Sequence, residues 1–405
     1  MTALADRARR VRVPRRAALP GDWRGLTVFA AGTTWEGQRL PDQHVAERLT
    51  RYGPVLYVDP PLSLLSPRHN PDLSVALQGP RLRLIAPGFA RLTPVVPPGL
   101  GKPGMRAVTE RVLRARMRWA ARALGGDVHA LVVASQFPVF GTCGERRRLF
   151  YATDDFVAGA ELMGVPTSWL RRCEQRLLRD ADTVVTISPA LTEAWKARGL
   201  DPVLVANGVD HTLFRDVDAA PPPADVQLPR PIVGFVGHLS ERIDLRLLEA
   251  IAERGTSLLL VGPRQITFEM SRIDALLARP NVQWVGPKPF TALPSYLSVI
   301  DVGVTPYGDS AFNRASFPLK TLEYLAAGRA AVATDLPSVR WLGTDLVTTA
   351  SSPREFADAV EQALRTPRTP ELVARRQAVA AQHSWDRRTA EIARLLGLPA
   401  QRSDD

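Results

Sequence analysis

The sequence predicts an α/β protein built from two doubly wound, Rossmann-like domains that face a cleft. Short apolar runs alternate with helix-length amphipathic stretches from Leu26 to Ile187, and the alternation restarts after Pro231. Loops bearing Gly and Pro follow the apolar runs, where the carboxyl ends of parallel strands place ligand-binding loops. The chain's 405 residues exceed one hydrophobic core, and a proline-dense stretch, DVDAAPPPADVQLPRP, falls near the middle.

Taken in order, residues 1–24 read as a loose basic leader. Leu26 to Ala31 reads as a buried strand, GTTWEG as a polar loop, Asp42 to Tyr52 as a helix and Val55 to Asp59 as the next strand. Residues 60–104, rich in Pro and Gly, are expected as long loops with a single short strand, Leu82 to Ala86. A helix over 104–124, strands over 129–134 and 148–152, a helix over 165–178 and a strand over 182–187 complete this half. Ser188-Pro189 then opens a further helix with a cap and a first-turn proline. Val203 to Phe214 reads as a strand ending in an Asn-Gly turn. In the second half strands are predicted over 232–236, 257–261, 282–285, 300–305 and 330–334. Helices are predicted over 244–254, 268–278, 291–298 and 317–327. The resulting bounds are a leader 1–24, an N-terminal domain 25–215, a stiff linker 216–230, a C-terminal domain 231–383, a closing helix 384–397 and a tail 398–405.

The composition, 45% hydrophobic and 23% charged, is that of a soluble globular protein. No uncharged apolar run approaches the ~18 residues of a spanning helix, and the first turns of sequence lack a signal-peptide core. Cys143 and Cys173 read either as one disulfide or, the preferred reading, as two ordinary thiols of a cytoplasmic protein. The formal net charge is +11, with Arg7, Arg9, Arg10, Arg12, Arg15 and Arg16 in the leader and Arg106, Arg111, Arg114, Arg116, Arg118 and Arg122 in one helix. Such clustering suits an anionic partner. Met105, Val108, Val112, Leu113, Met117 and Trp119 lie among the second set, so this helix either rests on an anionic membrane surface or packs on its own domain. The first choice places the chain peripherally on the inner face of the plasma membrane. Aromatics are not interleaved with the basic residues, so no specific nucleic acid is expected.

Candidate chemistry lies in the loops after strands. Gly234 to His238, with Gly237 and His238 at its end, reads as a loop that lets a phosphate approach the backbone, and Arg242 adds a cation. Lys288, Pro306 and Tyr307 lie in loops after later strands of the same half. Ser316 and Phe317 precede a helix in which Lys320 and Glu323 stand three residues apart, on roughly one side. The two either pair with each other, or Lys320 neutralises a diphosphate while the Glu323 carboxylate accepts hydrogen bonds from a ribose diol. Gly328 ends that helix.

Several ordered segments resemble the GT-B glycosyltransferases of the GT4 kind, with a C-terminal domain of the glycosyltransferase family 1 type. The resemblance covers roughly residues 26–396 and is nearest to the bacterial teichuronic-acid-biosynthesis branch. FPLKTLEYLAAGRAAVATDLP resembles that family's donor-site helix and strand, NGVDHTLF its interdomain turn, and DVGVTPYGD the strand and loop beside the donor. GFVGHLSERID resembles its phosphate-side loop, and SWDRRTAEIARLL the closing helix that crosses back toward the first domain. The resemblance makes Glu323 the second acid of a paired-glutamate motif, a ligand of the nucleotide ribose. The first acid of that motif is replaced by Ala315, with Asn313, Arg314 and Ser316 as substitutes near the sugar.

The implied reaction moves a glycosyl group from a nucleoside-diphosphate sugar to a glycan, lipid-linked or cell-envelope polysaccharide acceptor. Amides and cations would stabilise the departing diphosphate, and no metal or other cofactor is required, since no DxD pair stands in the second half. The first half would bind the saccharide acceptor through Gly32, Thr33, Thr34, Trp35 and Glu36, with Trp35 stacking on a sugar or plugging the loop. Asp155 and Asp154 follow the strand LFYAT and are the candidate catalytic acids: a base in an inverting enzyme, binding or positioning groups in a retaining one where the departing phosphate assists the attack, or a helix cap. Two rivals stand beside this reading: a GT-B-fold sugar-nucleotide epimerase, and a nonenzymatic anion-binding protein.

Overall fold

The computed structural model describes residues 19–37, 39–68, 73–99, 102–161, 163–265, 267–317 and 319–399. The six leader arginines lie outside these described residues. The chain divides into two compact units. The first contains the chain up to Ile187 together with Trp195–Val205 and the residues from Thr389 onward, and the second contains Ser188–Ala194 and Ala206–Arg388.

The first unit carries an eight-stranded sheet formed by β1 (Leu26–Ala30), β2 (Val55–Val58), β3 (Leu82–Ala86), β4 (Phe89–Leu92), β5 (Val128–Val133), β6 (Arg147–Ala152), β7 (Thr183–Thr186) and β8 (Val203–Leu204). Their spatial order is β3-β4-β2-β1-β5-β6-β7-β8, parallel throughout except where β3 runs against β4. The second unit carries β9 (Ile232–Val236), β10 (Ser257–Val261), β11 (Val282–Trp284), β12 (Val302–Thr305), β13 (Ala330–Thr334) and β14 (Val347–Ala350). Its order, β11-β10-β9-β12-β13-β14, is wholly parallel and matches a dinucleotide-binding sheet. Both units are thus Rossmann-like, as the alternation of apolar runs predicts. β1, β2, β9 and β10 are buried along their whole length, which is why they read as unbroken apolar runs.

Several expected elements are corrected. Residues 60–104 hold a second strand, β4, which follows Gly88 in a left-handed conformation (φ 69°) and pairs with β2. The strand expected over Val203 to Phe214 is only β8, followed by a helical turn, His211–Phe214. The helix expected over 317–327 is Leu319–Ala326, preceded by a separate helix Ala311–Ala315. Gly234 lies inside β9, so it serves packing: a Cβ there would sit 2.2 Å from Cδ1 of Ile300.

Segment 216–230 is fastened along the second unit by charge. Asp218 pairs with the fully buried Arg329 at 2.6 Å, and Asp225 pairs with Lys288 at 2.6 Å while accepting a bond from Tyr296.

The arginine-rich helix Pro103–Ala123 turns Leu113, Met117, Ala120 and Ala121 into the core of the first unit. Its expected apolar side is therefore largely occupied by packing. Arg114 bonds Glu110, Thr142 and the Phe140 carbonyl, whereas Arg111, Arg116, Arg118 and Arg122 are exposed around Trp119, itself 48% exposed. No helix among the described residues is long and apolar enough to cross a membrane.

One contact in the second unit joins helix and sheet. The Tyr324 ring lies over Gly303 of β12, where an added Cβ would meet the ring at 2.2 Å, and its hydroxyl accepts from Val236 N at 2.9 Å. Gly303→Ala should lower unfolding free energy by about 1–3 kcal/mol, because the ring has no buried space into which to move. Urea unfolding measures this, and an unchanged midpoint would contradict the close packing.

Candidate functional site

In the second unit the loops after β9 and β12 diverge to either side of the sheet's switch point, where open parallel sheets place ligands. The loops are stitched together by an antiparallel bridge between Ile243 and Tyr307, by Asp244 N donating to the Pro306 carbonyl at 2.9 Å, and by Gly308 N donating to the Arg242 carbonyl at 2.9 Å. The Asn313 side chain, almost wholly buried, donates to the carbonyls of Arg242 and Gly308 at 2.9 and 2.8 Å. Its Oδ1 accepts from Arg242 Nε at 3.0 Å.

These bonds hold the Arg242 guanidinium 5.0 Å from the ring centroids of both Tyr307 and Phe312. Two ring faces oppose the motion of a half-buried cation. Among the described residues Arg242 forms no ion pair, so its charge stands ready for an anionic ligand.

Helix Leu319–Ala326 approaches the same rim. Thr321 Oγ1 meets Thr305 Oγ1 at 3.0 Å, placing the start of the helix at the end of β12. Lys320 Nζ donates to both Glu323 carboxylate oxygens, at 3.0 and 2.9 Å, with both side chains largely buried. Of the two arrangements open in the sequence, the ligand-free chain adopts the intrahelical pair. The Ser316 hydroxyl donates back to the Phe312 carbonyl at 2.9 Å. Phe317 is buried edge-on to Trp341, and Ala315 is buried with its carbonyl accepting from Ser188 Oγ. Arg314 pairs with Asp309 at 2.6 Å on the surface.

Gly237 donates its amide to the Val261 carbonyl at 2.8 Å and is crowded by the Phe235 ring, so its first duty is packing. His238 is exposed beside it. Lys288 is held by Asp225 at 2.6 Å and lies 5.3 Å from the centroid of the Tyr296 ring. Among the described residues no group of three or more His, Cys, Asp or Glu side chains could hold a metal ion.

In the first unit, Gly32 and Thr33 close over Asp42. Gly32 N donates to Asp42 Oδ2 at 2.7 Å, and Thr33 offers its carbonyl to the Tyr57 hydroxyl at 2.7 Å. Thr34 accepts from Gln43 Nε2 at 3.0 Å through its carbonyl. Trp35 fills the loop: its amide donates to Asp59 Oδ1 at 2.9 Å, and its ring meets Tyr57 and Phe89 edge-on at 5.2 and 4.9 Å. Glu36 pairs with Arg91 and Arg83. Asp155 Oδ1 accepts from Ala158 N at 2.8 Å and so caps the turn that follows. Asp154 lines a cavity of about 10 Å³ with Gln136, Phe150 and Glu174, too small for a sugar.

The sequence analysis missed Asp42. It lies in the first turn of helix Pro41–Leu49, buried, and burial raises its pKa to about 7, with Asp154 adding to the rise and the Gly32 and Thr33 bonds opposing it. An acid immediately after Pro41 in a helix opening beneath a strand-end loop was the available signal. Because this carboxyl holds its proton in the fold after the unfolded chain has released it, stability falls as pH rises from roughly 4 to 7. Asp42→Asn has no such dependence. The variant should gain on the wild type by about 3 kcal/mol between roughly pH 5 and pH 8 in urea unfolding; a constant difference across that window would contradict the raised pKa.

Residues 230–366 match the family model described as glycosyl transferases group 1. A putative teichuronic acid biosynthesis glycosyltransferase, TuaH of Bacillus subtilis (strain 168), is 30% identical over 239 residues, 56% of this chain, and the chain matches about 60% of that relative's length. Among solved structures, sucrose-phosphate synthase from Thermosynechococcus elongatus superposes with a TM-score of 0.69 at 18% identity, covering 92% of this chain and 98% of that one. Anabaena HepE in complex with UDP and glucose gives 0.65 at 16% identity, covering 92% and 99%. The chain therefore has the GT-B fold, and its residues 230–366 are similar to the group 1 glycosyl transferases.

Proposed function

We propose that the chain transfers a sugar from a nucleoside-diphosphate sugar, held by the second unit, to a glycan, lipid-linked or cell-envelope polysaccharide acceptor bound by the first. The observation that carries this is Arg242, a cation without an acidic partner among the described residues, fixed between Tyr307 and Phe312 at the switch point of a Rossmann-like sheet. A diphosphate supplies the charge that this guanidinium lacks. Beside it, Glu323 can exchange Lys320 for the ribose hydroxyls, which frees the lysine for the same diphosphate. Both cations then stabilise the charge that builds up on the leaving group. The relationship to TuaH supports a hexosyltransferase of the teichuronic-acid-biosynthesis branch, and the UDP bound to HepE makes UDP the first nucleotide to test.

Work at the inner face of the plasma membrane is the setting we propose, since a lipid-linked or envelope acceptor would be met there. The support is the outer face of helix Pro103–Ala123, where Arg111, Arg118 and Arg122 surround the exposed Trp119.

Isothermal titration with UDP should show binding that weakens at least ~10-fold in Arg242→Ala and in Glu323→Ala. Equal affinity in all three proteins would remove both residues from the donor site. Co-sedimentation with vesicles containing anionic lipid should fall when Arg111, Arg118 and Arg122 are changed to Glu, and should fall with added salt in the wild type. Unchanged sedimentation would contradict the membrane role.

A further inference from the structure

A cluster of arginines lies at the amino end of β13, opposite the strand ends that carry the candidate donor site. Gly328 stops helix Leu319–Ala326 in a left-handed conformation (φ 67°), and Arg329, the next residue, is fully buried. Val373 of helix Pro370–Gln382 packs on Gly328, where an added Cβ would sit 2.7 Å from Val373 Cγ1. One turn further, the same helix brings in Arg376, only 7% exposed, whose Nη1 donates to the Gly328 carbonyl at 3.1 Å. Arg368, just ahead of that helix, is partly exposed.

The acids do not match this charge. Arg329 and Arg368 share one carboxylate, Asp218, and Arg376 forms no ion pair among the described residues. Asp301, the other acid near Arg329, is engaged by Arg230 at 2.7 Å. Carbonyls supply part of what is lacking: Arg329 Nε and Nη2 donate to Leu297 and Ser298 at 2.9 and 3.3 Å, at the end of helix Leu293–Val299. Capping two helix ends accounts for those bonds. It leaves Arg329 Nη1 and Arg376 Nε, both buried, without an acceptor among the described residues. Burial, with the neighbouring Arg368 charge, lowers the pKa of both guanidiniums. Three cations around one carboxylate, with two unanswered N–H groups, are costly as packing alone. A dianion with several acceptor oxygens meets both deficits.

We propose that Arg329, Arg368 and Arg376 form a binding site for a phosphate dianion, free or as a small monoester, and that Asp218 occupies this site in the ligand-free chain. The Asp218 side chain is 57% exposed, so it stands at the solvent mouth of the cluster and can swing into water as the anion arrives. Phosphate then accepts charge-assisted bonds from the Arg329 and Arg368 groups that Asp218 releases, and its remaining oxygens offer acceptors to the unanswered N–H groups. Binding releases one of the two ion pairs that fasten segment 216–230. The site shares no residue with the candidate donor site.

Isothermal titration of the full chain with inorganic phosphate tests this, at constant ionic strength and in the Arg242→Ala background so that the donor site stays silent. Phosphate should bind, and adding Arg368→Gln should weaken binding at least ~10-fold. Adding Asp218→Asn instead should strengthen it about 3-fold, because an exposed carboxylate no longer competes. A gain in affinity cannot come from damage to the fold, and urea unfolding checks that the Arg368→Gln protein is intact. Absence of phosphate binding, or one affinity shared by all three proteins, would overturn the proposal. A parallel titration with glycerol 3-phosphate separates the sources of the ligand: tighter binding than inorganic phosphate assigns the site to an esterified phosphate, and equal or weaker binding assigns it to the free ion.

Discussion

The candidate donor site depends on one packing contact, the Tyr324 ring seated over Gly303. Gly303 has no side chain, so the ring reaches the backbone of β12, and the hydroxyl beyond it accepts from Val236 N and donates to the Val304 carbonyl at 3.3 Å. One residue thereby ties its helix to the two strands that flank the switch point. Glu323 is its neighbour in sequence, so its position is set by a ring that has nowhere to move. Burial also pushes the Tyr324 hydroxyl's pKa upward, which keeps it neutral and hydrogen-bonded.

Around that fixed point the charges are arranged unequally. Lys320 and Glu323 satisfy each other, Lys288 satisfies Asp225, and Arg329 satisfies Asp218. Arg242 is neutralised by none of the described acids and is restrained by rings and an amide. Such an arrangement favours an incoming anion, because the protein has already met the cost of ordering the cation. The buried Asn313 replaces what a charged partner would have done. It fixes Arg242 without cancelling its charge, and it stands two residues before Ala315, where the family pattern has an acid.

Much of the fold was legible because parallel strands buried on both faces read as unbroken apolar runs, as Ile232–Val236 and Ser257–Val261 do. β4 escaped because FARL is short and carries Arg91, a buried cation whose partner Asp59 is distant in sequence. The glycines of GFVGH suggested a phosphate loop, yet Gly234 and Gly237 are required by Ile300 and Phe235, which no local pattern reveals. Glu323 and Arg242 were visible as polar residues in apolar or glycine-rich surroundings. Asp42 was marked only by its place directly after Pro41 at a helix start, since its burial comes from the loop that folds over it. The basic helix showed its charge in sequence but not which of its apolar residues would turn inward.

The most direct measurement is a crystal structure of the chain grown with UDP. The account predicts diphosphate oxygens within hydrogen-bond distance of the Arg242 guanidinium, and a Glu323 carboxylate turned from Lys320 onto the ribose hydroxyls. UDP bound elsewhere, or bound with the Lys320–Glu323 pair intact and Arg242 untouched, would contradict it.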